Sequence, residues 1–403
     1  MRLHSRGVPF NVSQPVLGRL TRVAVGDPEA RPRHILFGDA TALEAFRDCV
    51  GYGAALCPGT IDGTVLTLPA VGSVPELDYL DEGDVVYLRP DGSVNVLFRK
   101  SSASNSILVT ERCNSACLMC SQPPKDIDDS YRAALIMRLV DLIDPSTAGL
   151  TLTGGEPTLL EDAFIEIVAR FAHRLPNTSL HVLTNGRRFS DASYACQLAR
   201  LNHPDLVLGI PLYSDVDSIH DHLVGVSGAF NETVDGLYNL AEQGVRLELR
   251  IVLTQQTSER LPQWAEFIYR NFTFVEHVAL MGLEPVGLAR RNRSSLYGEP
   301  DAYVTPLETA TLALALRGVR VSIYNHQLCA LPRTLWPYAA ASISDWKATY
   351  PDECAPCGVR RFCGGYFESA VAQHTAHPRP LNALSPEAEA FMRNLRPGSQ
   401  DPA

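Results

Sequence analysis

The chain has 403 residues, of which 45% are hydrophobic and 20% charged, and its formal net charge is −10. This composition is typical of a globular protein with more than one domain, and no apolar run approaches the roughly 20 residues that a membrane-spanning helix needs. The acidic balance argues against a nucleic-acid partner, because phosphate backbones are bound by basic surfaces. The first residues lack the apolar stretch of a signal peptide, so we expect a cytoplasmic protein that does not act at a membrane.

Residues 1–100 have a different sequence pattern from the rest of the chain. A Pro-Asp-Gly turn between two β-rich runs over 81–99 predicts a hairpin, and the run 60–72 is similar. Residues 39–53 have the pattern of one amphipathic helix. We therefore predict a small α+β domain over residues 1–100, in which no chemical motif stands out.

From about residue 105 onwards, short β-branched runs alternate with helical patterns. The six runs lie at 106–110, 149–154, 180–186, 206–214, 246–254 and 277–285. This alternation predicts βα units around a parallel sheet, and the nearly continuous apolar character of the runs favours strands covered on both faces. Six units are too few for a complete eightfold barrel. We expect an α/β core over residues 101–300, either a partial barrel or an open doubly wound sheet, with ligands at the carboxyl ends of the strands.

After residue 300 the repeat fades. A strand-like run, RVSIY (320–324), leads into a segment rich in prolines, aromatics and cysteines, which we assign as a cysteine-rich region over 301–380, followed by a tail over 381–403. Two short basic runs, at 289–293 and 358–361, are expected to be solvated loops.

Ten cysteines are present, and in a reducing cytoplasm clustered cysteines are more often metal ligands or reactive thiols than disulfides. Two groups stand out, namely Cys113, Cys117 and Cys120, and then Cys354, Cys357 and Cys363. Of the single cysteines, Cys49, Cys57 and Cys196 are expected to be small buried thiols.

Three interpretations of CNSACLMC (113–120) compete. Its cysteines could share one face of a helix as a buried stripe, but Asn114, Ser115 and the following SQPPK (121–125) favour a loop. A structural zinc site needs four ligands, and the next histidine is His173, while catalytic zinc sites with three ligands usually include histidine. A [4Fe–4S] cluster is held by thiolates, and three of them leave one iron free to bind a small molecule.

The spacing C-x3-C-x2-C, on a loop after the first strand of a βα-repeat domain, resembles the radical S-adenosylmethionine (SAM) superfamily. The resemblance implies that Cys113, Cys117 and Cys120 hold a [4Fe–4S] cluster and form the catalytic centre. It also implies that the open iron is chelated by the amino and carboxylate groups of SAM. An electron from the cluster would then cleave SAM into methionine and a 5′-deoxyadenosyl radical, which abstracts a substrate hydrogen.

A second motif follows the second strand. GGEP (154–157) resembles the family motif whose backbone and glutamate hold the SAM amino group, which implies that Gly154, Gly155 and Glu156 bind the cofactor. A glycine turn that opens a helix is the alternative interpretation, and its geometry is compatible with either.

Four further residues stand at positions that contact SAM in the family, and one of them departs from the family pattern. Ser214, after the fourth strand, and Arg250, in the fifth, resemble positions that contact the ribose or the carboxylate, although a structural ion pair would equally satisfy the arginine. Asn185, in TNG (184–186), is either a further contact or a plain turn residue. Met119 stands where the family often has an aromatic residue near the adenine, and backbone contacts would survive this departure.

The second cysteine group, Cys354-x2-Cys357-x5-Cys363, resembles the auxiliary-cluster (SPASM/twitch-like) region of radical SAM enzymes that act on peptides. The usual fourth cysteine of that region is replaced by Phe367, so Cys329 is the natural fourth ligand. Four thiolates would close the site around an auxiliary [4Fe–4S] cluster, and a structural zinc is the alternative.

Longer strings narrow the resemblance. ILVTERCNSACLMCSQPPK, IPLYSDVDSIHD and LWPYAAASISDWK, followed by CxxC-x5-CGGYF, resemble the C-type radical SAM maturases of the His-Xaa-Ser system over most of residues 80–370. The resemblance implies a ribosomal precursor peptide as substrate, a companion radical SAM protein, a small accessory protein and a cellular electron donor.

The sequence thus predicts a radical SAM peptide maturase with a partial (β/α)6 barrel core. A radical SAM enzyme acting on RNA or a small metabolite, and a zinc-binding protein without catalysis, are the alternatives. Tyr213 and the aspartates of KDIDD (125–129) are candidate acid–base groups by position only, and a solvated surface loop is the simpler interpretation of KDIDD.

Overall fold

The computed structural model of the chain describes residues 3–44, 51–61, 68–298, 300–341, 348–367 and 378–395. Several sequence predictions, among them the burial of Cys49 and part of the tail over 381–403, fall partly or wholly outside these ranges. Of the helix predicted over 39–53, the described part is Ala40–Glu44. Residues 62–67 of the run 60–72, and all of SISDWK (342–347), lie outside the described residues.

The first part of the chain forms an eight-stranded mixed sheet. Its strands are β1 His4–Arg6, β2 Val8–Phe10, β3 Val16–Thr21, β4 His34–Phe37, β5 Ala54–Leu56, β6 Ala70–Gly72, β7 Val85–Leu88 and β8 Ser93–Phe98, in the order β1-β8-β7-β3-β4-β5-β6-β2. The predicted hairpin over 81–99 is confirmed, because β7 and β8 pair antiparallel.

This sheet closes on itself. Strands β1 and β2 are separated only by Gly7, yet they pair with β8 and β6 at opposite ends of the sheet. At the crossing, the Gly7 N–H donates to Gly92 O at 3.0 Å, and a Cβ at Gly7 would lie 2.3 Å from Gly72 O. The domain predicted as α+β is therefore dominated by a small β-barrel, because one continuous segment completes both edges of the sheet.

The second sheet has seven strands, all parallel. They are β9 Asn105–Leu108, β10 Gly149–Thr153, β11 Ser179–Leu183, β12 Leu206–Pro211, β13 Arg246–Leu253, β14 His277–Gly282 and β15 Arg320–Tyr324. All six predicted runs are strands, and RVSIY adds a seventh.

Strand order distinguishes the two architectures expected from the sequence. The strands follow one another across the sheet in chain order from β9 to β15, without the reversal that defines a doubly wound sheet. Among the described residues, β9 and β15 do not pair with each other. The core is thus an α/β partial barrel with an open side.

Helices cover one face of this sheet. The helices among the described residues are α1 Ala40–Glu44, α2 Tyr131–Val140, α3 Asp162–Arg174, α4 Ala192–Ala199, α5 Asp217–Val224, α6 Ala229–Glu242, α7 Gln255–Glu259, α8 Leu261–Asn271, α9 Gly287–Arg291, α10 Arg293–Leu296, α11 Pro300–Leu316 and α12 Pro386–Leu395. In α3, the buried residues Phe164, Ile167 and Phe171 recur at helical spacing and join the main core cluster. Each such side chain contributes about 1.5–3 kcal/mol by its burial.

The opposite face of the sheet is polar, which corrects the expectation of strands that are apolar on both faces. In β13, Leu247, Leu249 and Ile251 are fully buried, whereas Glu248 and Arg250 alternate with them and point to the other face. Glu248 is nevertheless buried, and it is tolerated there because it pairs with Arg250 and with His277.

The C-terminal part combines short 3-10 turns with a two-stranded antiparallel sheet, β16 Ala348–Thr349 and β17 Tyr366–Phe367. Across the described ranges, none of the helices is both long and apolar enough to span a lipid bilayer.

Candidate functional site

The first cysteine group lies on a loop at the carboxyl edge of the parallel sheet. Strand β9 ends at Leu108, the Val109 N–H still donates to Thr153 O of β10, and residues 111–120 contain no helix. The helical-stripe interpretation of CNSACLMC is therefore wrong, because the polar residues between the cysteines break the helical pattern.

The three thiols of this loop are close enough to influence one another. Burial, together with the neighbouring thiols, raises the pKa of Cys113 to about 11 and that of Cys117 to about 12, and burial also raises the pKa of Cys120. None of the three forms a disulfide. Three crowded thiols that resist ionisation together need a cation to become thiolates, so this donor set fits a metal cluster.

Helix α5 supports the loop from one side. The backbone N–H groups of Ala116 and Leu118 donate to Val224 O and Leu223 O, each at 2.9 Å. A Cβ at Gly225, which has φ +71°, would lie 2.9 Å from Ala116 O, so only glycine permits this approach.

The segment after β14 supports the loop from the other side. The Leu288 N–H donates to Cys120 O at 2.8 Å, and Asn292 Nδ2 donates to Leu118 O at 3.0 Å. The basic run 289–293, expected to be a solvated loop, belongs to α9 and α10 and the residue between them, although Arg290 and Arg291 are exposed to solvent as expected.

The GGEP turn contacts the cysteine loop through backbone atoms. The Gly155 N–H donates to Thr110 O and the Glu156 N–H to Arg112 O, both at 2.8 Å. A Cβ at Gly155 would lie 2.0 Å from Arg112 O, and one at Gly154 would lie 2.5 Å from Thr110 O. Both glycines are thus required for the close approach of the two loops.

Glu156 is completely buried, and its carboxylate joins two strand ends. Oε1 accepts hydrogen bonds from the Thr158 N–H at 3.0 Å, from the Thr158 hydroxyl at 2.7 Å and from the Thr184 hydroxyl at 2.6 Å, while Oε2 accepts from the Asn185 N–H at 2.6 Å. Burial raises the pKa of this carboxyl, and the four donors oppose that shift. The side chain therefore fixes the GGEP turn to the TNG turn.

Asn185 continues this network to the cysteines, because its Nδ2 donates to Asn114 Oδ1 at 2.7 Å. The side chain of Met119, by contrast, is 5% exposed and belongs to the main hydrophobic core. A contact of Met119 with adenine would therefore come from its backbone.

Ser214 and Arg250 both have protein partners. Ser214 is buried, and its hydroxyl accepts from the Val216 N–H at 3.1 Å, which fixes the turn before α5. The Arg250 guanidinium pairs with Glu248, so the structural ion pair considered from the sequence is present. A contact of Arg250 with a SAM carboxylate would use its remaining N–H groups.

The two acid–base candidates differ in their surroundings. Asp129 of KDIDD is 1% exposed and accepts hydrogen bonds from the Thr110 hydroxyl at 3.0 Å and from the Glu111 N–H at 2.7 Å. The surface-loop interpretation is therefore wrong for Asp129, which is buried because it anchors the start of the cysteine loop. Tyr213 is buried, and desolvation together with the nearby thiols of Cys117 and Cys120 raises its pKa.

The second cysteine group converges with Cys329. One cavity of about 350 Å³ is lined by all four thiols, those of Cys329, Cys354, Cys357 and Cys363. Cys329 and Cys354 are 25 positions apart in the sequence. Burial, followed by the charges of the other three thiols, raises the pKa of Cys354. The C-terminal segment closes over this group, since the Leu381 N–H donates to Cys357 Sγ at 3.5 Å.

Within the ranges that the structure describes, no three His, Cys, Asp or Glu side chains are placed so that they could hold a single metal ion.

Phe367, at the place of the absent cysteine, lines a neighbouring cavity of about 380 Å³ at the carboxyl ends of β14 and β15. The two cavities share Gln327 and Gly365 in their walls.

Sequence reasoning missed one charged residue of the site. Arg187, directly after TNG, donates from Nη1 to Asn114 O at 2.8 Å and to the Ser115 hydroxyl at 3.2 Å. Its position in the sequence gives no sign of this contact, since 72 residues separate Arg187 from Ser115.

Residues 107–268 match the family model described as the Radical SAM superfamily. This stretch runs from β9 into α8 and contains the first cysteine group, the GGEP turn and the TNG turn. The α/β fold with its parallel, barrel-like sheet is thus that of a radical SAM domain.

Curated proteins resemble part of the chain. Pre-heme d1 synthase of Dinoroseobacter shibae is 28% identical over 158 residues, which are 38% of this chain and 37% of that protein. Sporulation killing factor maturation protein SkfB of Bacillus subtilis is 25% identical over 167 residues, which are 40% of this chain and 38% of that protein. The chain therefore matches well under half the length of these relatives.

Among solved structures, SuiB of Streptococcus suis aligns with a TM-score of 0.43 and 16% identity, over 55% of this chain and 49% of that one.

Proposed function

We propose that this chain is a radical SAM enzyme that reductively cleaves SAM and crosslinks a ribosomally synthesised peptide of the His-Xaa-Ser type. One observation carries the proposal. The loop with Cys113, Cys117 and Cys120 meets the GGEP turn at the carboxyl edge of a parallel sheet, within the residues that match the radical SAM model.

The residues of the first site have distinct roles. Cys113, Cys117 and Cys120 would hold a [4Fe–4S] cluster with one open iron. With SAM bound there, the cluster supplies a 5′-deoxyadenosyl radical for hydrogen abstraction. Gly154 and Gly155 let the backbone of the GGEP turn approach the cysteine loop, where its polar groups are available to the SAM amino group.

Glu156 and Asn185 fix the position of the first cysteine loop through a chain of hydrogen bonds. The buried carboxylate of Glu156 holds the Asn185 backbone, and the Asn185 side chain holds Asn114, between Cys113 and Cys117. Ser214 follows β12 and Arg250 lies within the neighbouring β13, and they are the proposed contacts to the ribose and the carboxylate of SAM.

The second site is proposed to hold an auxiliary [4Fe–4S] cluster on Cys329, Cys354, Cys357 and Cys363. Support comes from the single cavity that all four thiols line. A structural zinc is the alternative occupant, and metal analysis distinguishes the two.

The substrate is proposed to enter beside this second site. The cavity lined by Leu283, Glu284 and Phe367 adjoins the cysteine-lined cavity through Gln327 and Gly365. Substrate pockets at the carboxyl ends of barrel strands are the rule for this architecture. The name of SkfB, a maturation protein for a killing factor, favours a peptide substrate.

Several features of the proposal rest on the family resemblance alone. They are a companion radical SAM protein, a small accessory protein and a cellular electron donor. A cytoplasmic location and the absence of a nucleic-acid or membrane partner are proposed instead from the composition, charge and hydropathy pattern of the sequence. A barrel over residues 1–100 that binds the leader of the precursor peptide would fit the same scheme.

A small metabolite is the second candidate substrate. Pre-heme d1 synthase, named for a heme precursor, is more similar in sequence to this chain than SkfB is. Both similarities cover only two fifths of the chain or less.

Anaerobic reconstitution followed by incubation with SAM, a reductant and a His-Xaa-Ser repeat peptide tests the proposal. We expect a product that has lost two hydrogens per crosslink by mass spectrometry. Cys117→Ala should abolish both SAM cleavage and peptide modification, whereas Cys357→Ala should lose peptide modification and retain SAM cleavage.

Cys196→Ala is the matched control, because Cys196 lies on α4 outside both cysteine groups. Full peptide modification by Cys357→Ala would refute the auxiliary role. Modification of a tetrapyrrole but of no peptide would favour the second candidate.

A further inference from the structure

Arg187 is the cation most directly bonded to the loop between the first two cysteines. Its Nη1 donates to Asn114 O at 2.8 Å and to the Ser115 hydroxyl at 3.2 Å. Its Nε donates to Glu232 Oε2 of α6 at 2.5 Å. Three hydrogen bonds from one planar guanidinium group thus connect the cysteine loop to helix α6.

The guanidinium is shielded from solvent, while its carboxylate partner is not. The Arg187 side chain is 12% exposed, and that of Glu232 is 45% exposed. Water therefore screens the negative charge of Glu232 more than the positive charge of Arg187, so the ion pair leaves an incompletely neutralised cation beside the loop.

Arg188 provides a contrast within the same turn. It is 34% exposed and pairs with Glu161 and Asp191, away from the cysteine loop. Adjacent arginines thus have different partners, and only the first of them bonds to the cysteine loop.

We infer that Arg187 is a positioning residue that fixes the backbone between Cys113 and Cys117 and supplies positive charge to the cluster bound there. This inference rests on the proposed function, because it assumes that the loop holds an iron–sulfur cluster. One-electron reduction adds negative charge at the cluster, so a shielded cation nearby stabilises the reduced form and raises the reduction potential. The bond to Asn114 O also limits the conformations of a loop that must present three thiolates at once.

The proposal that Arg187 fixes the loop backbone is tested on the metal-free chain by amide hydrogen exchange of residues 113–120. The Ala116 and Leu118 amides of this segment are hydrogen-bonded to α5. Loss of a charged hydrogen bond in Arg187→Gln should speed exchange there about tenfold or more. Arg188→Gln, the matched control, should leave this exchange unchanged.

The effect of the Arg187 charge is tested by measuring the midpoint reduction potential of the first cluster. The titration is monitored by electron paramagnetic resonance in a Cys357→Ala background, so that only one cluster contributes to the signal. Arg187→Gln should make the potential more negative, and Arg187→Lys should restore most of the difference, since lysine keeps the charge but not the fork. Glu232→Gln should shift the potential in the opposite direction, because it removes the opposing charge. Arg188→Gln should leave the potential unchanged.

Two results would overturn the inference separately. Equal exchange in Arg187→Gln and the wild type would refute the hold on the loop. Equal potentials in the wild type, Arg187→Gln and Glu232→Gln would refute the charge role. A chain that forms no iron–sulfur cluster would instead refute the proposed function, and with it the effect of the Arg187 charge on the cluster. The exchange experiment would still show whether Arg187 fixes the loop backbone.

Discussion

At the scale of single residues, His220 is a buried histidine next to the site. It is 1% exposed, and its Nδ1 accepts a hydrogen bond from the Tyr213 N–H at 3.1 Å. Burial lowers its pKa from 6.5 to about 4. The neutral imidazole therefore supports the backbone of the fourth strand end, and protonation would remove the acceptor.

This burial predicts a pH-dependent stability. Between pH 6.5 and pH 4 the unfolded chain binds a proton at His220 that the folded chain does not, so the free energy of unfolding falls as the pH falls through this window, by at most about 1.4 kcal/mol per pH unit. His220→Gln keeps an acceptor but cannot titrate, so urea unfolding should show a shallower fall for this variant. His222→Gln, exposed on the same helix, is the control. Parallel pH profiles for the wild type and His220→Gln would contradict the assignment.

Glu156 illustrates a second kind of residue effect, in which one buried acceptor serves four donors. Glu156→Ala leaves the N–H and hydroxyl of Thr158, the Thr184 hydroxyl and the Asn185 N–H without this acceptor. Because each buried donor costs about 1–3 kcal/mol when unsatisfied, we expect the free energy of unfolding to fall by at least about 3 kcal/mol. Glu161→Ala, at an exposed ion pair, should change it by about 1 kcal/mol or less. A cost for Glu156→Ala as small as that of the control would show that the network rearranges.

At the scale of elements, the site depends on how closely two strand-end loops approach. Gly155→Ala would place a Cβ 2.0 Å from Arg112 O and so separate the GGEP turn from the cysteine loop. We expect reduced iron at the first site after reconstitution and a loss of stability of about 1–3 kcal/mol. Gly149→Ala on the same strand is the control, because its Cβ would meet nothing nearer than Ser179 O at 3.7 Å. Normal iron content in Gly155→Ala would mean that the contact between the two loops is dispensable.

The strand elements were largely predictable from the sequence, and the loop contacts were not. All six β-branched runs formed strands, because burial under helices selects apolar residues at alternate positions whatever lies on the other face. The polar inner face was missed although Arg250 was recognised in the fifth strand, because apolar residues dominate the composition of β13 and Glu248 was not singled out. The cysteine loop and the GGEP turn could be assigned to one sheet edge, because parallel strands end together.

Residues that act across long sequence separations could not be predicted. Arg187 contacts a loop that lies 72 residues earlier in the sequence. The carboxylate of Asp129 is buried where it accepts hydrogen bonds from Thr110 and Glu111. The barrel of the first 98 residues depends on Gly7, whose role becomes visible only where β1 and β2 complete opposite edges of the sheet. Such contacts leave no local pattern in a single sequence.

At the scale of the whole molecule, two groups of thiols lie in separate parts of the chain, one on the barrel rim and one in the C-terminal region. The second group is complete only with Cys329, which comes from the 3-10 turn after β15. A group of three thiols and a group of four thiols thus lie at different places.

This arrangement predicts independent metal contents. Cys329→Ala should lose the metal of the second site alone, so that the iron content falls from about eight to about four per chain. Cys196→Ala should retain the wild-type content. One equivalent of zinc in the wild type, lost in Cys329→Ala, would replace the auxiliary cluster by a structural zinc. Unchanged metal in Cys329→Ala would exclude this cysteine as a ligand.

The central claim is that the loop with Cys113, Cys117 and Cys120 forms the centre that cleaves SAM. It is tested most directly by the formation of 5′-deoxyadenosine by the anaerobically reconstituted, dithionite-reduced chain. We predict that the wild type and Cys196→Ala form 5′-deoxyadenosine and that Cys117→Ala forms none. A wild-type chain that binds iron at this loop and still releases no 5′-deoxyadenosine, or a Cys117→Ala variant that releases as much as the wild type, would contradict the account.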